Sequence, residues 1–486
     1  MDSNIEKYSF STIGFSSQIE NPEDFRRDYV SLGFLIFYLL TPSSNIVELR
    51  KDFYDPCLRY LEDKYSLPKE FRKLITLLNN TNEKTNVNEF ISVVIDIQPN
   101  LKFSKNIQLE NDIDNKINKI GKFILKNTLN GENQFFPSDF MAREFLSITH
   151  GTAGVLRALD YCKIDYDIEL SRKYNHIINE NHNNIQINLN TGLAGICWYY
   201  LEQNATEQSR RLLNIISERQ NTVTKLDLGN GLSGIGMLYL KTYLMIGERD
   251  YLYKAIDIGE SILNSTEINS IKKVGISNGR SGISLFLLYL SVITNSGKYA
   301  KFGKKILLEE IEYGHEINYG YGFPSSVDKP NFLYPYFSEG TAGVAAVAIR
   351  YYHLFNDSIL KEEVVKLGNG LNCVLATELG LYSGLTGIAN TLLDYYQFTN
   401  DRKYYNKTCE IINNIQQFLL KDDGEGLGFP GSLMYRFSCD YSTGASGFIM
   451  LLERIKSNKN NFHFFLDELF INTNSPIKLE KVISQT

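Results

Sequence analysis

His150, Asn230, Asn278, Arg280, Ser338 and Glu339 stand just before or just inside copies of one short pattern, Gly-x-x-Gly. Tyr334 and Tyr336 lie upstream of one copy, and Asp440 and Tyr441 upstream of another. These residue types hold, move or attract protons and charge. An imidazole such as His150 exchanges a proton near neutral pH. A carboxylate such as Glu339 serves as a general base or, protonated, as an acid. The Arg280 guanidinium grips anions. Each also has a plainer reading. Glu339 suits a helix N-cap, His150 a hydrogen-bonding motif residue, and Arg280 an ordinary salt-bridged residue.

The pattern itself says what must position them. Seven copies begin at Gly151, Gly192, Gly231, Gly279, Gly340, Gly384 and Gly444, at intervals of 39 to 61 residues. A repeat on this scale marks stacked supersecondary units. Each copy opens an apolar stretch of helical character: 155–161, 196–202, 235–246, 283–294, 344–355, 388–398 and 448–455. These are apolar on most faces, as fully buried helices are. Before most copies lies a more amphipathic segment, as at 113–129, 207–219, 251–264, 299–310, 360–376 and 404–420. In 251–264, Leu252, Ala255, Ile256, Ile258 and Ile262 follow helical spacing. The predicted unit is an outer helix, a glycine turn, then an inner helix. The fold class is therefore all-α: seven hairpins, about fourteen helices, closing as an α/α toroid or stacking as an open solenoid. The two longest intervals hold glycine- and proline-rich loops at 319–324 and 423–431, alike around Gly-Phe-Pro, which are candidate site rims.

Composition narrows the function. Net charge is −6 and no basic cluster interleaves with aromatics, which argues against nucleic acid. The 31 tyrosines and 29 phenylalanines suit either helix packing or an aromatic peptide groove. Six cysteines are scattered without a Cys-x-x-Cys pair, so a disulfide framework is not expected and a reducing cytoplasm fits. Residues 1–6 have neither the basic nor the apolar region of a signal peptide. The most apolar run, 30–40, is far short of the roughly 20 residues of a membrane helix. It reads as a buried helix, and no membrane span is expected.

Residues 1–95 lack the motif and form a separate unit, with a polar turn at 79–88. Residues 96–110 read as a linker broken by Pro99, and 111–486 as the toroid domain. The stretch from Arg27 to Thr41, with Asp28, Ser31, Leu32 and Gly33, resembles the long helix of a protein-kinase C-terminal lobe. Ser11–Gln18 resembles the end of an activation segment, with Ser16-Ser17-Gln18 in place of the usual Ala-Pro-Glu. Leu67–Ile75 resembles a later helix of that lobe. The resemblance implies a structural role for Asp28. It also implies that the nucleotide-binding and catalytic parts, which precede the activation segment, lie elsewhere. On that reading no ATP or magnesium is held by this chain. The chain is then a fragment of a longer synthetase or half of a split one.

Seven Gly-x-x-Gly hairpins over residues 110–456 resemble the LanC-like lanthionine cyclases. A kinase C-lobe followed by such a domain resembles class III and class IV lanthipeptide synthetases. There a lyase, a kinase and a cyclase act on one precursor peptide, leader plus core. Ser or Thr is phosphorylated and eliminated, and a Cys thiol adds to the dehydroamino acid, giving lanthionine or labionin rings. Zinc-dependent members carry Cys two residues before the fourth glycine and Cys-His before the fifth; many carry His before the third. Here those positions read Ser277, Ser338, Glu339 and Asn230. The resemblance therefore implies a class III cyclase with no zinc and no other cofactor. Its precursor peptide and the lyase and kinase N-lobe, in cis or in trans, are the expected partners.

On this reading Glu339, His150, Asn230, Asn278, Arg280, Ser338, Tyr336 and Asp440 are the candidate catalytic residues. Glu339 and His150 would move the thiol and enolate protons. Arg280 would stabilise the enolate or grip an acidic leader peptide. Inner-helix N-termini meeting at one mouth would favour thiolate and enolate alike. A non-catalytic scaffold that positions the dehydrated peptide is the alternative. A toroid glycosidase or terpene-type cyclase is weaker, because aspartate-rich metal motifs are missing.

Overall fold

The computed structural model describes residues 26–41, 45–50, 53–80, 87–95, 112–317, 320–421, 425–459 and 462–471. The activation-segment-like stretch, most of the 79–88 turn and the 96–110 linker lie outside them.

Seven inner helices begin at the seven glycine pairs: α7 (Thr152–Tyr161), α9 (Leu193–Glu202), α11 (Leu232–Ile246), α13 (Arg280–Thr294), α15 (Thr341–Phe355), α17 (Leu385–Thr399) and α19 (Ala445–Ser457). Seven outer helices alternate with them: α6 (Ile113–Lys126), α8 (Ile168–Asn181), α10 (Thr206–Arg219), α12 (Arg249–Leu263), α14 (Gly297–Ile311), α16 (Ser358–Gly370) and α18 (Arg402–Gln416). Each inner helix packs on its two inner neighbours, and α19 packs on α7, so the ring closes. Being surrounded explains their composition: α13 buries every residue from Arg280 to Val292.

The hairpin differs from the predicted unit in one respect. From α9 onward an inner helix packs most closely on the outer helix that follows it, not the one before its glycine turn. The connection after an inner helix is tight, whereas a long loop precedes each glycine. The last inner helix has no following partner, so the first outer helix, α6, packs on α19 and locks the two ends together.

The glycines make the closure possible. A Cβ on the second glycine of each pair would strike the carbonyl six residues upstream and the neighbouring unit's side chain. Gly195 meets Ile148, Gly234 meets Leu189, Gly282 meets Leu228, Gly343 meets Ile276, Gly387 meets Phe337, Gly447 meets Leu381, and Gly154 meets Tyr441. The last of these contacts joins the ends of the ring. Of the first glycines, Gly340 alone has a positive φ, +107°, a conformation a side chain would strain.

A second ring lies in the backbone, at the residue two before each first glycine. Thr149 N–H donates to Asn190, Asn190 to Gly229, Gly229 to Ser277, Ser277 to Ser338, Ser338 to Tyr382, Tyr382 to Ser442, and Ser442 back to Thr149. These seven bonds span 2.7–3.3 Å. They hold the turns in one plane above the inner-helix N-termini.

The opposite end is plugged. Residues 462–471, including the short helix α20 (Glu468–Ile471), run into the ring. There Phe465 lies 3.5 Å from the Arg350 guanidinium; the segment also reaches the underside of the glycine turns, where buried His463 packs on Phe337, Tyr382 and Tyr441. Two small β-sheets are inserted: β1 (His315–Ile317), β2 (Gly320–Pro324) and β3 (Leu333–Tyr334) in one, β4 (Leu420–Lys421) and β5 (Leu427–Gly428) in the other.

The N-terminal unit comprises α1 (Arg26–Leu40), α2 (Ile46–Leu49), α3 (Tyr54–Tyr65), α4 (Lys69–Asn79) and α5 (Val87–Ile95). It packs on the toroid at α18, where Phe53 stacks on Phe418 and Tyr60 hydroxyl donates to Asn414 at 2.7 Å. Helix α1 is not the buried helix its sequence suggests. Gly33 and Phe37 are its buried residues, while Leu32, Leu35 and Leu39 are exposed. It packs on α4, and its Tyr29 ring lies 5.1 Å from Phe90 of α5. Asp28 is exposed. Among the described residues, no helix is long and apolar enough to cross a membrane.

Candidate active site

Above the backbone ring lies a cavity of about 730 Å³, at the N-terminal ends of the inner helices. Residues one or two before the first glycine of six motifs line it: Thr149, His150, Asn190, Thr191, Asn230, Ser338, Tyr382, Ser383, Ser442 and Thr443. The two insertions complete the rim, though not through their Gly-Phe-Pro turns. Phe323 and Phe429 are fully buried. The rim residues follow those turns: Leu333, Tyr334, Pro335 and Tyr336 from one insertion, Ser432 and Leu433 from the other.

His150 is the basic group on this wall. Its Nδ1 lies 3.6 Å from the Asp440 carboxylate, an ion-pair distance beyond hydrogen-bond reach. Burial disfavours the imidazolium, but Asp440, Asp139 and Glu144 outweigh it and raise the pKa above the usual value. Asp440 is itself buried behind the wall. It accepts from the amides of Asp139 at 2.9 Å and Thr443 at 2.7 Å and from the Ser438 hydroxyl at 3.0 Å. Burial alone would raise its pKa; His150 and these amides carry it down to about 2. Asp440 is therefore a fixed anion that orients and charges His150 rather than a group at the cavity surface.

Two acids on the wall escaped the sequence reading. Asp139 accepts from the Ser432 hydroxyl and from the Met141 amide at 2.7 Å. Glu378 accepts from the Leu433 amide at 3.1 Å, with Ser432 and Asp139 beside it. Burial first, then the Asp139 charge, push Glu378 up to about 7. A signal for it existed. Glu378 lies six residues before its glycine, as Tyr334 does, and Lys225 and Lys273 hold the same place in their own motifs. In the turns of Gly192, Gly231, Gly384 and Gly444 the carbonyl at this place accepts from the first residue of the inner helix; Glu378 and Tyr334 are the ones whose position lines the cavity.

The remaining predicted residues fall into two groups. Asn230 Nδ2 donates to Asn278 at 2.9 Å, and Asn278 Nδ2 donates to Glu339 at 3.3 Å. Lys273 closes this chain on Glu339 at 3.1 and 3.3 Å. Ser338 and Tyr336 line the cavity with His150. Burial pushes the Tyr336 phenol well up, so it stays a neutral donor. Arg280 does not join them. One residue past its glycine it already belongs to the helix, and it points outward to Glu309 at 3.1 Å and over the Tyr313 ring. Buried Glu310 accepts from the amides of Gly275, Arg280 and Ser281 and caps that helix.

The zinc positions can be tested against these contacts. Ser277 and Ser338 are neighbours through the backbone ring, 3.0 Å apart in N–H···O, so the two turns do bring the positions together. Their hydroxyls are poor zinc ligands, and Glu339, the remaining donor, is neutralised by Lys273. Zinc takes about three Cys, His or carboxylate ligands. The residues present do not fit it.

A lanthionine synthetase C-like family model matches residues 146–466, about two thirds of the chain. The chain belongs to this family. Among solved structures it is similar to nisin cyclase, with a TM-score of 0.54 and 15% identity over 74% of this chain and 98% of that one. The Lin0763 protein of Listeria innocua gives 0.45 and 12%, over 72% and 99%. An α-1,6-mannanase of Salegentibacter sp. gives 0.40 and 10%, over 71% and 99%. A search of curated proteins found no match. For a LanC-like chain, the cavity over the inner-helix N-termini is the place to look for chemistry.

Proposed function

We propose that this LanC-like chain closes thioether rings in a dehydrated precursor peptide without zinc, as the cyclase part of a class III lanthipeptide synthetase. The observation that carries the reading is the His150–Asp440 pair on a cavity ringed by inner-helix N-termini. Thiol addition needs a base for the Cys proton and a positive environment for thiolate and enolate. An imidazole whose conjugate acid is held by a buried aspartate supplies the base. Helix N-termini supply the field. The loss of all three zinc ligands at Ser277, Ser338 and Glu339 supports the class III assignment.

The Asn230–Asn278–Glu339–Lys273 chain gives fixed polar contacts that run from the cavity wall at Asn230 to a neighbouring groove lined by Asn278 and Lys273. It suits peptide backbone recognition better than base chemistry, because Lys273 already holds the Glu339 charge. The kinase-like helices of the N-terminal unit, and partners bearing the lyase and kinase N-lobe, belong to the same proposal, as does a cytoplasmic location.

The test uses a synthetic peptide with one dehydroalanine and one cysteine. Free thiol and product configuration are followed with and without the full chain. The cyclase reading expects faster thiol loss and one α-carbon epimer. Equal rates and the same epimer mixture leave a peptide-binding scaffold.

A further inference from the structure

We infer that Glu378 is the acid that protonates the α-carbon of the enolate, working on the same cavity as the base His150. This rests on the cyclase reading above and adds the second proton-transfer group that the reaction requires.

The geometry supports it in three ways. Glu378 lines the cavity wall that also carries His150. One carboxyl oxygen is fixed by the Leu433 amide at 3.1 Å, which leaves the group aimed rather than free to rotate. Residues Leu433 and Met434 both have positive φ, 52° and 56°. Two non-glycine residues held there are strained, and strain of this kind persists where the surroundings over-determine a functional conformation. Here it turns the Leu433 amide onto Glu378. No cation contacts Glu378 among the described residues, and its charged neighbour is the Asp139 carboxylate, which opposes ionisation. A carboxyl that still holds its proton for part of the time near pH 7 suits a general acid. The titratable groups facing it are Asp139, Tyr334 and Tyr336, with His150 on the shared cavity.

The steps balance. His150 takes the thiol proton, and sulfur bonds to the β-carbon of the alkene. The alkene pair moves onto the α-carbon and its carbonyl. Glu378 gives its carboxyl proton to the α-carbon, and a new C–H bond forms. The Glu378 carboxylate then regains a proton from the His150 imidazolium through solvent. Nothing is oxidised or reduced, and no co-reactant is consumed.

The test compares the unaltered chain with Glu378→Gln and Glu378→Asp on the same synthetic peptide. Glu378→Gln keeps the Leu433 contact but has no proton to give. Its rate should fall by about 100-fold, with peptide affinity unchanged and both α-epimers formed. Glu378→Asp should regain part of the rate and of the single-epimer outcome. In the unaltered chain the rate should also decline as pH rises through the Glu378 titration near 7, and this limb should vanish in Glu378→Gln. A Glu378→Gln chain that still gives one epimer within twofold of the original rate removes Glu378 from the reaction and leaves the cyclase reading standing. An unaltered chain that does not accelerate ring closure removes both.

Discussion

The two ends of the ring treat buried charge in opposite ways. At the plugged end, Arg350 is fully buried between Asp394 at 2.9 Å and Asp467 at 2.5 Å. Arg454 meets the other Asp394 oxygen at 2.7 Å, and Tyr289 donates to Asp467 at 2.6 Å. Each charge there answers another, and the network ties four inner helices, α13, α15, α17 and α19, to the C-terminal plug. At the mouth, His150 Nδ1 is buried without a hydrogen bond among the described residues, and Glu378 sits beside a second acid. A satisfied network fixes structure, whereas perturbed titratable groups on the wall of an open cavity are candidates for chemistry. The difference supports a structural role for the plugged end and the proposed chemistry for the mouth.

The largest expected effect breaks the plugged end. Arg350→Ala leaves buried Asp467 without its cation and Asp394 with Arg454 alone, and should cost about 3–5 kcal/mol, read by chemical denaturation. If stability barely changes, the network is not what holds the ring. Next, His150→Ala should slow ring closure by about 100-fold and cost some stability, because it removes the cation from buried Asp440. A stability loss as large as that of Arg350→Ala, with ring closure unchanged, would make the mouth structural. Asp440→Asn should cost roughly 2 kcal/mol at neutral pH, because the Asp440 pKa falls from 3.8 to about 2 on folding. The sign follows from that depression. The Asp440 contribution is present above pH 3.8 and is lost as pH falls toward 2, so the acid limb of stability should flatten in the variant. The His150 contribution runs the other way: present below its unfolded pKa, lost as pH rises through the raised folded one. The smallest effect is Lys273→Ala. This half-exposed pair with Glu339 is worth under about 1 kcal/mol, so stability should hold and any change should appear in peptide affinity.

The repeat was legible because close packing tolerates little else: seven positions have no room for a Cβ, and glycine spacing reports the ring directly. The zinc positions came from the family resemblance; Ser277 and Ser338 fall on the backbone ring, two residues before their glycines, and Glu339 one residue later. Arg280 was misplaced because one step past the glycine the helix turns the side chain outward. Glu378 and Asp139 were missed because loops far apart in sequence meet only after closure. His463 and Asp467 carry no motif; the run Phe462–Leu466 is apolar enough to suggest burial, but nothing local says it fills the ring. The order of pairing was misjudged because amphipathic periodicity identifies an outer helix without naming its partner.

The central claim is ring closure without a metal. The direct measurement is thiol loss from the dehydroalanine–cysteine peptide by the full chain after chelator treatment, with metal content determined on the same sample. The account predicts an unchanged rate at zinc well below one equivalent, and no gain when zinc is added back. Loss of activity on chelation, restored by stoichiometric zinc, would contradict it.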